Sequence, residues 1–204
     1  MPSGNSRSGV VLEGGDGSPS LGTHVPGEAG LWVLIFGEML VFAMLFLTYV
    51  YYRDQEPELF RSSQRTLHQW NGAMLTVVLV TGSLLVVMAV QAAREGLRRS
   101  AQRKLLGAIV CGLAFSALKS LEYVDKFQHG TTPETNTFYM LYFVLTGLHW
   151  FHLILGMIAL AVLYRMLGNS RHDQPLAFVE GGAAYWHMVD LVWVILFPLL
   201  YLVR

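Results

Sequence analysis

Five long apolar runs, separated by short polar stretches, dominate the chain. Gly30–Val50 carries a single charge, Glu38, and Asn71–Ala93 carries none. Leu105–Val124 holds Lys119 and Glu122, whereas Asn136–Tyr164 has no Asp, Glu, Lys or Arg but contains His149 and His152. Ala183–Val203 has one formal charge, Asp190. Each run reaches the ~20 residues that an α-helix needs to cross ~30 Å of hydrocarbon. Inside a bilayer no water satisfies open backbone groups, so such runs must be helical. The pattern therefore predicts an all-α, polytopic bundle of five transmembrane helices, near residues 30–50, 71–93, 105–124, 138–164 and 183–203, within a membrane domain 27–204. Alternation of the strand type and internal repeats are both lacking.

The segment ahead of these runs is different. The first 30 residues hold eight Gly, five Ser and three Pro and no apolar run. Met1 to Pro26 accordingly reads as a flexible tail, too poor in apolar groups to build a core. It has no h-region of a signal peptide, which leaves the first apolar helix as its own membrane signal.

Composition narrows the function classes. Of 204 residues, 53% are hydrophobic and 14% charged, against about a quarter charged in soluble domains. The 14 basic and 14 acidic residues cancel, removing a global electrostatic case for nucleic acid. Cys111 is the single cysteine, so an internal disulfide and a Cys-rich metal site are excluded. There is also no P-loop, HExxH or CxxC pattern and no Ser–His arrangement suited to nucleophilic attack. Loop charges set an expected orientation. Arg7, Arg94, Arg98, Arg99, Arg103, Lys104, Arg165 and Arg171 fall on one side, against Arg53, Arg61, Arg65, Lys126 and Arg204 on the other. The N-terminus is thus expected in the cytoplasm and the C-terminus in the periplasm.

Ionisable groups within the runs need partners or water, and each is a candidate for function. In the third run, Ala108, Gly112, Ser116 and Ser120 form a small-residue stripe that admits close helix packing. Lys119 and Glu122 flank it three residues apart, so they face protein and can pair, either as helix glue or as a proton carrier. In the fourth run Tyr142, Thr146, His149, His152 and Gly156 share about a third of the helix circumference. Its histidines read as hydrogen-bonded core residues or as haem ligands. His187 is the other intramembrane histidine, and it is expected near the cytoplasmic surface, roughly 20 Å from the level of His149, which disfavours a shared haem. In the fifth run Trp186, His187, Asp190, Trp193, Phe197 and Tyr201 lie on one side, a packing pattern apart from Asp190. Asp190 and Glu38 are expected at similar depths, where they could share a proton or each bond an indole or hydroxyl. No Lys or Arg lies within two turns of Glu38 on its own helix.

Four segments carry a family resemblance. FGEMLVFAMLFLTYVYYR (Phe36–Arg53), LKSLEYVDKFQHG (Leu118–Gly130), TGLHWFHLILG (Thr146–Gly156) and YWHMVDLVWVILFPLLYL (Tyr185–Leu202) resemble, in order, signature segments of subunit III of the haem–copper oxidases. The likeness is to the short, five-helix form. It implies a non-catalytic accessory subunit with no cofactor of its own, packed against a catalytic subunit that carries haem and metal. Support of assembly, stability or proton entry is the implied role, in a bacterial inner membrane. Glu38 falls on the family's carbodiimide-reactive acidic position, Glu122 and Tyr123 on its Glu–Tyr pair, and His149 and His152 on its two histidines. Two N-terminal helices of the seven-helix form are replaced here by the Gly/Ser tail. In the long form those helices wall one side of a lipid-holding cleft, so the resemblance does not carry lipid binding over to this chain; phospholipid stays a small-molecule candidate beside it. Trp150 stands where the family has glycine. PGEAGLWVLIFGE (Pro26–Glu38) looks most like the branch encoded beside bacterial nitric oxide reductase, which makes that enzyme the other candidate partner. A free-standing proton channel or transporter built on Glu38, His149, His152 and Asp190 is the rival from another class, and a cytochrome b-like protein a third.

Overall fold

The computed structural model describes residues 29–169 and 176–202; the Met1–Pro26 tail lies outside them. Six α-helices follow in order: α1 (Ala29–Gln55), α2 (Pro57–Arg65), α3 (Gln69–Arg94), α4 (Arg98–Gln128), α5 (Thr137–Gly168) and α6 (Leu176–Phe197). The last continues as a π-helical turn, Pro198–Leu202. Among the described residues, five helices are long and apolar enough to span a membrane, at 26 to 32 residues each. At 1.5 Å per residue they run about 39–48 Å, so their ends project beyond the hydrocarbon or tilt within it.

Local chemistry sets several boundaries. Gly96 (φ 74°) ends α3 and Gly130 (φ 72°) follows α4, both in the left-handed region that costs glycine least. The basic stretch Arg98–Lys104, expected as loop, is instead the first two turns of α4, because no helix breaker intervenes after Gly96. Asn136 caps α5, its side chain accepting from the Tyr139 N–H at 2.9 Å. α6 begins at Leu176, seven residues ahead of the expected Ala183.

Two features at the other end of α6 were not foreseen. Pro198 lacks an N–H and breaks the regular ladder, and the chain resumes in the wider π turn. Carbonyls of the π turn itself are bonded from outside. Gln64 Nε2 reaches Leu199 O at 3.2 Å, and Gln69 Nε2 donates to Tyr201 O at 2.8 Å. Gln64 belongs to α2, a short helix with Pro57 in its first turn where a loop was expected. Phe60 anchors α2, buried between the rings of Tyr49 (5.3 Å) and Phe138 (5.5 Å).

The spanning helices α3, α4, α5 and α6 pack as a four-membered ring, with α1 leaning on α5 and α6. Trp186 is the hub of that ring and is fully buried. Its indole lies where three neighbouring helices offer glycine. A Cβ would sit 3.5 Å from it at Gly82 on α3, 3.1 Å at Gly112 on α4 and 3.2 Å at Gly156 on α5. Small residues at helix contacts are how membrane helices approach closely, since lipid tails supply no hydrophobic drive for association. Outward faces are apolar throughout α1, where Val33, Phe36, Leu40, Met44 and Leu47 are exposed.

Candidate functional site

Among the described residues, Glu38, Lys119, Glu122, His152, His187 and Asp190 fall into three separate groups, each built at a helix contact. The most enclosed centres on Lys119 of α4, whose side chain is fully buried. Its ammonium donates to Glu122 Oε2 (3.2 Å), to the Tyr142 hydroxyl (2.9 Å) and to the Tyr201 hydroxyl (3.0 Å). Both tyrosines in turn donate to Glu122 Oε1, at 2.6 and 2.8 Å. All three ammonium protons and the paired carboxylate are thereby satisfied, and the Tyr142 ring lies 4.8 Å from the cation. The i, i+3 spacing brings Lys119 and Glu122 together; Tyr142 from α5 and Tyr201 from the π turn close the group. A buried pair survives in low dielectric only when its remaining hydrogen bonds are filled in this way.

A second group joins α1 to α5. His152 Nδ1 bonds the Leu148 carbonyl at 2.7 Å, and Nε2 faces Glu38 Oε2 at 2.9 Å. A carbonyl only accepts, so Nδ1 carries hydrogen. One further proton then lies between Nε2 and the carboxyl, held either as neutral acid and imidazole or as carboxylate and imidazolium. The edge of Phe42 covers the imidazole at 5.4 Å, and the Glu38 side chain keeps 28% exposure on the outer side of the bundle. Glu38, without a cation within two turns on its own helix, thus finds its partner across the α1–α5 contact.

The third group lies between α3 and α6. Ser83 Oγ and His187 Nδ1 are 2.7 Å apart, and Asp190 has the same serine and histidine as its polar neighbours. The earlier start of α6 puts His187 about 16 Å along the helix from its first residue. Asp190 and Glu38 do not meet, because they face different helices: one the Ser83 side, the other His152.

His149 stands apart from all three. It is fully buried between Phe115 (5.8 Å) and Trp193 (5.1 Å), and neither ring nitrogen has a partner among the described residues. It is not brought together with His187. The small-residue stripe divides. Ala108 and Gly112 are buried at contacts with α3 and α5, whereas Ser116 and Ser120 are half-buried, with Ser120 Oγ turned back to the Ser116 carbonyl at 2.8 Å. Among the described residues, no three His, Cys, Asp or Glu side chains converge as metal ligands would.

Set beside known proteins, the chain matches the family profile "Cytochrome c oxidase subunit III" over residues 22–203. The chain belongs to that family. It is 31% identical over 179 residues to the cytochrome c oxidase subunit 3 of Alkalihalophilus pseudofirmus, covering 85% of this chain and 84% of that one. To the probable cytochrome c oxidase subunit 3 of Mycobacterium tuberculosis it is 29% identical, covering 87% and 88%. A protein of Aeropyrum pernix named heme-copper oxidase subunit I+III is 30% identical over 86% of this chain, which spans 22% of that longer polypeptide. Within the family frame, Tyr123 bonds Thr146 Oγ1 at 2.6 Å. Trp150 stands edge-on to Tyr123 at 5.7 Å.

Sequence reasoning missed Tyr201 as a hydrogen-bonding residue, since its place among aromatics read as packing. Ser83 and Thr76 were also missed. Thr76 accepts from Trp193 Nε1 at 3.0 Å. Nothing in a one-dimensional pattern marks which hydroxyl on α3 faces α6. Tyr142 had been placed on the correct face of its helix, beside Thr146 and the histidines, but without a partner.

Proposed function

We propose that this chain is the non-catalytic accessory subunit of a bacterial respiratory haem–copper oxidase, supporting the assembly and stability of a catalytic subunit that carries the haem and metal. The observation that carries this reading, beside family membership, is the Lys119–Glu122–Tyr142–Tyr201 group, whose donors are all spent inside the bundle. Such a closed group locks α4, α5 and α6 together and suits a rigid packing module. The Glu38–His152 pair has a different character. It bonds a ring nitrogen to a partly exposed carboxyl, which suits proton supply to a neighbouring subunit.

The loop charges favour an inner-membrane arrangement with the start of α1 cytoplasmic and the end of α6 periplasmic. Between α1, α5 and α6 lies an open apolar cleft of about 710 Å³ lined by Leu31, Leu34, Leu155, Val162 and Phe178. Its apolar walls suit a phospholipid acyl chain.

Purification in mild detergent of the tagged chain, expressed with its natural partners, tests the reading. A haem-containing subunit is expected to follow the tag. The partner's metal content separates a haem–copper oxidase from a nitric oxide reductase, the candidate suggested by Pro26–Glu38. Recovery of the chain alone, with proton flux after reconstitution into liposomes, would overturn the accessory role in favour of a channel. Mass spectrometry of lipid retained by the purified chain tests the cleft, with loss of that lipid expected on Leu155→Trp.

A further inference from the structure

The Ser83–His187–Asp190 group, unlike the closed Lys119 group, leaves a ring nitrogen without a partner. His187 and Asp190 are half-buried, and the His187 ring is bonded only through Nδ1, to Ser83. Its Nε2 has no hydrogen-bond partner among the described residues, and Oδ1 of Asp190 is buried without one. One turn further along α6, Leu191 and Val194 are exposed at 47% and 45%, so the polar pair sits on a face otherwise fit for apolar contact. The depth is central. Ser83 lies eleven residues before the end of α3 and His187 eleven after the start of α6, about 16 Å from those ends in each case. At that level lipid offers neither donor nor acceptor, and an open imidazole nitrogen beside a carboxyl is costly.

We propose that the α3–α6 face is the docking surface for a transmembrane helix of the catalytic subunit, which presents a polar side chain to His187 Nε2. This rests on the accessory-subunit reading. The occupant is a protein helix because the cluster needs a hydrogen-bonding group at mid-membrane, with apolar surface on either side of it. Only a helix carrying one polar residue in an apolar run supplies both. Union of subunits I and III in the Aeropyrum pernix relative's name is consistent with an intimate contact of this kind. The Lys119 group needs no such occupant, its donors all being taken up by side chains of this chain.

The test uses the whole complex, purified through a tag on the catalytic subunit. Combined His187→Leu and Asp190→Leu should lower retention of this subunit about tenfold, the effect of one lost interhelical hydrogen bond on an affinity. Leu113→Asn, on the outward face of α4, should leave retention unchanged. A photo-reactive benzoylphenylalanine replacing Leu191 should cross-link to the catalytic subunit in the otherwise native complex. This second measurement holds even where the double variant fails to accumulate. Cross-linking of Leu191 only to lipid or to a second copy would overturn the proposal, as would full retention of the double variant. Failure of the wild-type chain to co-purify with any haem-containing subunit would instead sink the accessory reading beneath it.

Discussion

Lys119 and Glu122 offer the sharpest quantitative test of how the bundle is held. Removing one member of a buried ion pair costs about 3–5 kcal/mol, most of it the penalty of stranding the other charge. The two single substitutions should differ in a direction that the geometry decides. After Lys119→Met, the Glu122 carboxylate still accepts from Tyr142 at 2.6 Å and Tyr201 at 2.8 Å, so the cost should be near the lower end, about 3 kcal/mol. After Glu122→Gln, the Lys119 ammonium remains fully buried with neutral acceptors only, and the cost should approach about 5 kcal/mol. Independent effects would sum to about 8 kcal/mol in the double variant. Removing both charges together strands neither, so the double variant should be no less stable than Glu122→Gln alone. Thermal unfolding in mild detergent measures this, at about 2–4 °C per kcal/mol for a chain of this length. Trp193 provides the signal, since the ammonium lies 5.6 Å from its ring. Additive losses in the double variant, or a neutral Lys119→Met, would refute the account of a tightly coupled group.

Three further outcomes are expected. Gly112→Leu should abolish detergent-stable folded protein, because even a Cβ would lie 2.8 Å from Met157 Sδ and 3.1 Å from Trp186, whereas Gly147→Ala, with only the Tyr123 hydroxyl at 3.8 Å, should be tolerated; monodispersity on size-exclusion chromatography separates the two. Dicyclohexylcarbodiimide should modify Glu38, which keeps an exposed edge, ahead of Glu122, which is enclosed by three donors, and ahead of Asp190. Glu38→Gln should abolish the adduct without unfolding the chain, and mass mapping of an adduct to Asp190 or Glu122 with Glu38 clean would contradict this. A reporter inserted at Gly96, in the short α3–α4 connection, should be active in the cytoplasm and one fused after Arg204 in the periplasm; the reverse pattern would invert the orientation.

The chain's own pattern was enough for the class of fold, because burial in lipid leaves an apolar run one option, the helix. Five such runs meant five spans, and the i, i+3 spacing of Lys119 and Glu122 meant an ion pair, since both rules act within a single helix. Partners on other helices were out of reach of that logic. Tyr201 completes the Lys119 group only because Pro198 opens a π turn at the end of α6, and Glu38 meets His152 only because α1 leans on α5. The same holds for Trp186, one aromatic among several in sequence, which became the hub because glycines on α3, α4 and α5 converge on it. Helical periodicity tells which residues share a face but not which face meets which neighbour. That choice is made by the joint fit of side chains from five helices, and it decided which groups Glu38 and Lys119 meet across helix contacts.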